Sequence, residues 1–141
     1  MTKTSFVRYI NNPKEIKNIR KDYYPYLVEG FGSDQLLVEA SISEAVVNAW
    51  RHGHEESDDR SIRVEVNFLH SRMVVRITDQ GEGFDWQKYQ CHNDMRHWFP
   101  CMEELEEPGR GIILLLRVMD SLRYNKKGNE CLLMKKYQNQ G

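Results

Sequence analysis

The stretch Ser43-Glu44-Ala45-Val46-Val47-Asn48-Ala49-Trp50-Arg51-His52-Gly53 decides how this chain is read. Glu44, Asn48 and His52 recur every fourth residue, so on a helix they share one face. Ala45, Val46, Val47 and Ala49 supply the apolar side that anchors such a helix to a core. A carboxylate takes up a proton and an amide oxygen binds a magnesium ion, so the polar face carries the groups of a divalent-nucleotide site. The same spacing also fits a plain solvated face, and the rest of the chain must choose between the two.

Two glycine motifs bear on that choice. Arg72-Met-Val-Val-Arg-Ile-Thr-Asp79 reads as a strand, with Val74, Ile77 and Thr78 giving it strand character. It runs into Asp79-Gln-Gly81-Glu-Gly83-Phe84, where glycines let the backbone turn and lie close to a flat ligand. A carboxylate at the strand end can accept a hydrogen bond from an exocyclic amine such as that of adenine. Further on, Pro108-Gly109-Arg110-Gly111 opens the apolar run Ile112 to Met119. Glycines at a helix start expose N–H groups to phosphate oxygens, and the helix dipole adds attraction. Taken singly, each motif is also an ordinary turn or an ordinary start of a buried helix.

The order E-x-x-x-N on a helix, D-x-G-x-G after a strand and G-x-G opening a helix resembles the GHKL (Bergerat-fold) ATPases, in which these are the N, G1 and G2 boxes. The resemblance covers roughly residues 35 to 136. Ser43-Glu-Ala-Val-x-Asn-Ala-x-x-His-Gly53 is similar to the N box of the small serine kinases that act as anti-sigma factors, which are single domains of similar length.

That resemblance implies ATP and Mg2+ as ligands and a role for each motif residue. Glu44 matches the general base, Asn48 the magnesium ligand and Asp79 the adenine-reading carboxylate. Gly81 and Gly83 match the pocket floor, Gly109 and Gly111 the phosphate-facing N–H groups, and Arg110 a charge partner. His52 matches a common N-box histidine, either a support or a ligand contact. Residues 85 to 108 match the ATP lid, here dense in aromatic residues and ending in the acidic Glu103 to Glu107. Cys91, His92, His97 and Cys101 also admit a zinc reading, though their spacing matches no common structural-zinc pattern. The implied partners are an anti-sigma-factor antagonist, phosphorylated on serine, and a sigma factor, with a homodimer as a further expectation. Two alternatives stay open: an ATP-binding switch of the same fold without kinase activity, and a detached histidine-kinase catalytic domain. Glu44 favours a kinase over a pure binder. The N-box wording, and the lack of room for a dimerisation helix pair with its phosphoacceptor histidine, disfavour the histidine-kinase reading.

Composition agrees with a compact domain. At 141 residues the chain fits one domain, residues 1–141, with a real core. A net charge of −1 and a pI near 6.5 suggest neither nucleic acid nor membrane as a partner. No stretch approaches the roughly 18 apolar residues of a span, and the first residues lack a signal-peptide core. Three cysteines without C-x-x-C fit a reducing, cytoplasmic setting.

Periodicity predicts the element order. Ser5 to Ile10 is a strand; Asn12 and Pro13 then start a helix on which Ile16, Ile19, Tyr23, Tyr26 and Leu27 recur up to Gly30. Ser33 or Asp34 is expected to cap the long helix that carries Leu36, Leu37, Ala40 and Ile42 and ends at Gly53. Ile62 to Leu69 alternates apolar and polar and should pair with Met73 to Asp79 across His70-Ser-Arg. Ser121 to Asn125 and Glu130 to Lys135 should turn through Lys126-Lys-Gly-Asn. The expected fold is α+β: a two-layer sandwich with a mostly antiparallel sheet and helices on one face.

Overall fold

The computed structural model describes residues 3–53, 60–81, 115 and 117–138. Strand β1 (Thr4–Ile10) leads through a 3-10 turn (Pro13–Glu15) into helix α1 (Ile16–Phe31), and a second 3-10 turn (Gly32–Asp34) leads into helix α2 (Gln35–Gly53). Strands β2 (Ile62–Phe68) and β3 (Arg72–Thr78) form a hairpin, as do β4 (Ser121–Tyr124) and β5 (Glu130–Lys136). The sheet order is β1-β2-β3-β5-β4, and every pairing in it is antiparallel.

The alternation in β2 does what its pattern predicts. Ile62, Val64, Val66 and Phe68 are buried, while Arg63, Glu65 and Asn67 face the wetter side. Met73, Val75 and Ile77 of β3 and Cys131 and Leu133 of β5 extend the same buried face. Against it lie two helical rows: Ile19, Tyr23 and Leu27 at four-residue steps on α1, and Val38, Ile42 and Val46 on α2. Leu36 and Leu37, which precede that inward row, are exposed. Of the apolar run 112–119, residues 115, 117 and 118 are described as helical, and Leu115 is fully buried.

The helix boundaries are set locally. The Asn12 side chain accepts a hydrogen bond from Lys14 N at 2.9 Å, and Glu15 reaches back to Asn12 N at 2.8 Å, a reciprocal capping box followed by Pro13. The start of α2 differs from expectation. Ser33 and Asp34 lie in a 3-10 turn entered from Gly32 (φ 53°), and the Asp34 carboxylate accepts from the Gln138 amide. A side chain beyond β5 thus recruits a residue that local sequence marks as a cap.

That segment also ties distant parts together. Gln138 N donates to Gly30 O at 2.9 Å, and the Tyr137 hydroxyl donates to Leu69 O at 2.8 Å. Tyr137→Phe keeps the ring against Phe31 and deletes only that donor. Urea unfolding should show a loss of about 1 kcal/mol. Unchanged stability would mean that water satisfies the Leu69 carbonyl equally well.

Candidate nucleotide site

Helix α2 carries Glu44 and Asn48 on one face, and buried Ala45 and Val46 hold that face in register with the core. Glu44 is half-buried. Asn48 is only 2% exposed, yet neither its Oδ1 nor its Nδ2 has a hydrogen-bond partner among the described residues. A buried amide left unpaired is unfavourable by about 1–3 kcal/mol, so such a group calls for a ligand, an ion or water. An amide oxygen suits magnesium, a hard cation that takes oxygen ligands. The donor at position 48 therefore fits the metal that the motif implies.

Asp79 lies one residue past the end of β3 and is 5% exposed. Its Oδ1 accepts from Gly81 N at 2.8 Å, which folds the first glycine of the motif back onto the carboxylate. Burial pushes the Asp79 pKa up to about 6, against the opposing pull of the Gly81 N–H and of the Lys127 and Arg60 charges. At neutral pH the group is a buried carboxylate with one oxygen held by the backbone.

The last hairpin brings further residues here. Cys131 of β5 pairs with Tyr124 of β4 on one side and Ile77 of β3 on the other. The Tyr124 phenol hydrogen-bonds to Cys131 and lies within electrostatic reach of both Asp79 and Glu44. Burial raises the Tyr124 pKa well above its ordinary value and the Cys131 pKa to about 12, so both stay neutral. Tyr124 thus lies on the hairpin with a phenol that feels the charges of both the α2 and the β3 carboxylates. In sequence this hairpin reads as structure only. Its signal is cross-strand register, which a single strand does not display.

The other expected site residues are placed less fully. His52 belongs to α2, four residues after Asn48, with its side chain outside the described residues. Gly81 is buried beside Asp79. Gly83, Gly109, Arg110, Gly111, the lid at 85–108 and the Cys91, His92, His97 and Cys101 set all lie outside the described residues. Among the described residues no helix is long and apolar enough to cross a membrane.

An antiparallel sheet packed against helices, with E-x-x-x-N on one helix and a buried D-x-G at the end of a strand, fits a nucleotide-binding domain class. A family profile for the histidine kinase-like ATPase domain matches residues 15–136, and the chain belongs to that family. Among curated proteins it is similar to the serine-protein kinase RsbW of Oceanobacillus iheyensis, 27% identical over 100 residues that cover 71% of this chain and 63% of that protein. RsbW of Bacillus subtilis strain 168 is 27% identical over 113 residues, covering 78% and 69% of the two chains. The anti-sigma F factor of Clostridium botulinum strain Eklund 17B is 29% identical over 103 residues, covering 71% and 69%. The match leaves about a third of each relative's length uncovered.

Proposed function

We propose that this chain is an ATP-dependent protein-serine kinase of the anti-sigma-factor type, which phosphorylates a serine of an antagonist protein and regulates a sigma factor by binding it. The observation that carries the reading is the pairing, one helical turn apart on α2, of a half-buried Glu44 with a buried Asn48 that has no side-chain partner among the described residues. The names of the relatives support a protein-serine substrate and a sigma factor as partner, and the antagonist is what the N-box resemblance implies.

In this reading Asp79 accepts a hydrogen bond from the exocyclic amine of adenine, Gly81 keeps the pocket floor close, and Asn48 would hold magnesium, which would supply charge neutralisation for the phosphates. Gly83, Gly109, Arg110 and Gly111 supply the remaining pocket floor and phosphate contacts, and His52 supports the end of α2. Glu44 takes the proton of the attacking serine hydroxyl. The serine oxygen bonds to the γ-phosphorus as the bond from that phosphorus to the β–γ bridging oxygen breaks, and ADP leaves with the electron pair. Phosphoryl transfer asks mainly for positioning and charge neutralisation, so a short list of residues is sufficient.

Asn48→Ala should weaken ATP binding about fivefold or more in the presence of magnesium, with much less change in its absence. Equal losses with and without magnesium would remove Asn48 from the metal. The functional test is capture of the bound protein on the purified chain, followed by transfer of label from radiolabelled ATP onto that partner. A partner that binds but takes up no label would instead favour a non-catalytic ATP switch.

A further inference from the structure

The β4–β5 turn does more than reverse the chain. Backbone bonds alone close it, Gly128 N to Asn125 O and Asn125 N to Glu130 O, both at 3.0 Å, with Gly128 at φ 87° where a side chain would be strained. Added to this is a network of side-chain amides. Asn125 Oδ1 accepts from Gly128 N at 2.8 Å, Asn129 N at 3.0 Å and Glu130 N at 3.2 Å, and Asn125 Nδ2 donates to Asn129 Oδ1 at 2.7 Å. Asn125 therefore fixes both the backbone and the side chain of Asn129.

Asn129 reaches a third strand. The β3–β5 ladder ends at the pair Thr78 and Glu130, so Asp79 and Asn129 face each other one step beyond it. Asp79 N donates to Asn129 O at 2.9 Å, and Asn129 Nδ2 donates to Asp79 O at 3.4 Å. A strand end would ordinarily fray; here a side-chain amide supplements the missing ladder bonds. Both backbone polar groups of Asp79 are held by one residue, and Gly81 N holds its Oδ1. Lys127, from the same turn, lends positive charge to the buried carboxylate.

We propose that the Asn125–Asn129 turn is a positioning device for base recognition, with Asn125 locking Asn129 so that Asn129 sets where the Asp79 carboxylate meets the adenine amine. This rests on the reading of Asp79 as the base-reading residue. The magnesium role assigned to Asn48 lies on α2, and the second glycine motif precedes β4 in the sequence. Loosening the turn should therefore blur the choice of base more than it weakens triphosphate binding. Recognition of one amine by one carboxylate tolerates displacement of only about half an ångström.

The test compares ATP and GTP affinities, by calorimetry with magnesium, for the wild type, Asn125→Ala, Asn129→Ala, Asn125→Asp and Asp79→Asn. Asn125→Ala and Asn129→Ala should each lower the ATP-over-GTP preference by about threefold or more. Asn125→Asp keeps the acceptor for three N–H groups but sets a carboxylate oxygen against Asn129 Oδ1 where the Nδ2 donor was, so it should hold the turn backbone and still lower the preference. A merely structural role would change both affinities together and leave their ratio at the wild-type value. If Asn125→Ala does not fold, Asn129→Ala, which keeps the Asn125 hub, probes the same link to Asp79. A wild-type ratio in folded alanine variants, alongside a shifted ratio in Asp79→Asn, overturns the positioning role alone. An unshifted ratio in Asp79→Asn overturns the base-reading assignment itself, and the positioning role with it.

Discussion

Glu44→Gln should leave ATP bound at close to wild-type affinity and slow phosphoryl transfer to the true protein partner by about 10² or more. The substitution keeps the size and shape of the side chain, so the packing of α2 through Ala45 and Val46 against the core is preserved. What it removes is basicity. A carboxamide oxygen can accept a hydrogen bond from a serine hydroxyl but cannot take its proton as the new bond to phosphorus forms. Adenine and phosphate contacts are assigned to other residues, which is why binding and transfer should separate. Titration calorimetry for ATP, with single-turnover transfer of labelled phosphate onto the captured partner, measures both arms. Normal turnover in the variant would take the general-base role away from Glu44. A loss confined to ATP affinity would place Glu44 among the binding groups instead.

Much of the fold is legible because its signals are local. The alternation Ile62-Val64-Val66-Phe68 and the four-residue row Ile19-Tyr23-Leu27 each follow from the period of a single element. The Asn12–Glu15 capping box is likewise contained within four residues. The start of α2 is not local, since Asp34 is engaged by Gln138 from the far end of the chain. Strand order is non-local too: β5 rather than β4 lies beside β3, and no pattern within either strand says so. The site divides in the same way. Glu44, Asn48 and Asp79 are readable as candidates because spacing along one helix, or position at the end of one strand, marks them in the sequence. Asn129 meets Asp79 across 50 positions of sequence, and Tyr124, Asn125 and Cys131 come with it on the same hairpin. In sequence they look like an ordinary hairpin with an Asn-rich turn.

Asp79→Asn should push binding and stability in opposite directions. Loss of a charge-assisted hydrogen bond to adenine is worth roughly 1.5–3 kcal/mol, so ATP affinity should fall about tenfold or more and the preference over GTP should relax. The stability effect follows from the pKa of about 6, raised from 3.8 chiefly by burial. A carboxyl whose pKa is raised in the folded state favours folding while it is protonated. That contribution is complete below about pH 4 and is lost as pH rises through about 6. At pH 7.5 the nucleotide-free protein therefore carries a buried charge, at a cost of about 3 kcal/mol at most for a pKa raised from 3.8 to about 6. The amide has no charge to bury. The variant should melt higher relative to wild type at pH 7.5 than at pH 4.5, by several degrees. Nucleotide affinity should show the counterpart. Below pH 6 wild-type Asp79 gains a proton and loses its advantage over Asn, so the two affinities should converge at pH 5, with protonation of the phosphates common to both. Equal affinity and equal base preference at pH 7.5 would remove Asp79 from the nucleotide site. A gap in melting temperature that stayed constant with pH would show that the buried carboxylate does not titrate in this range.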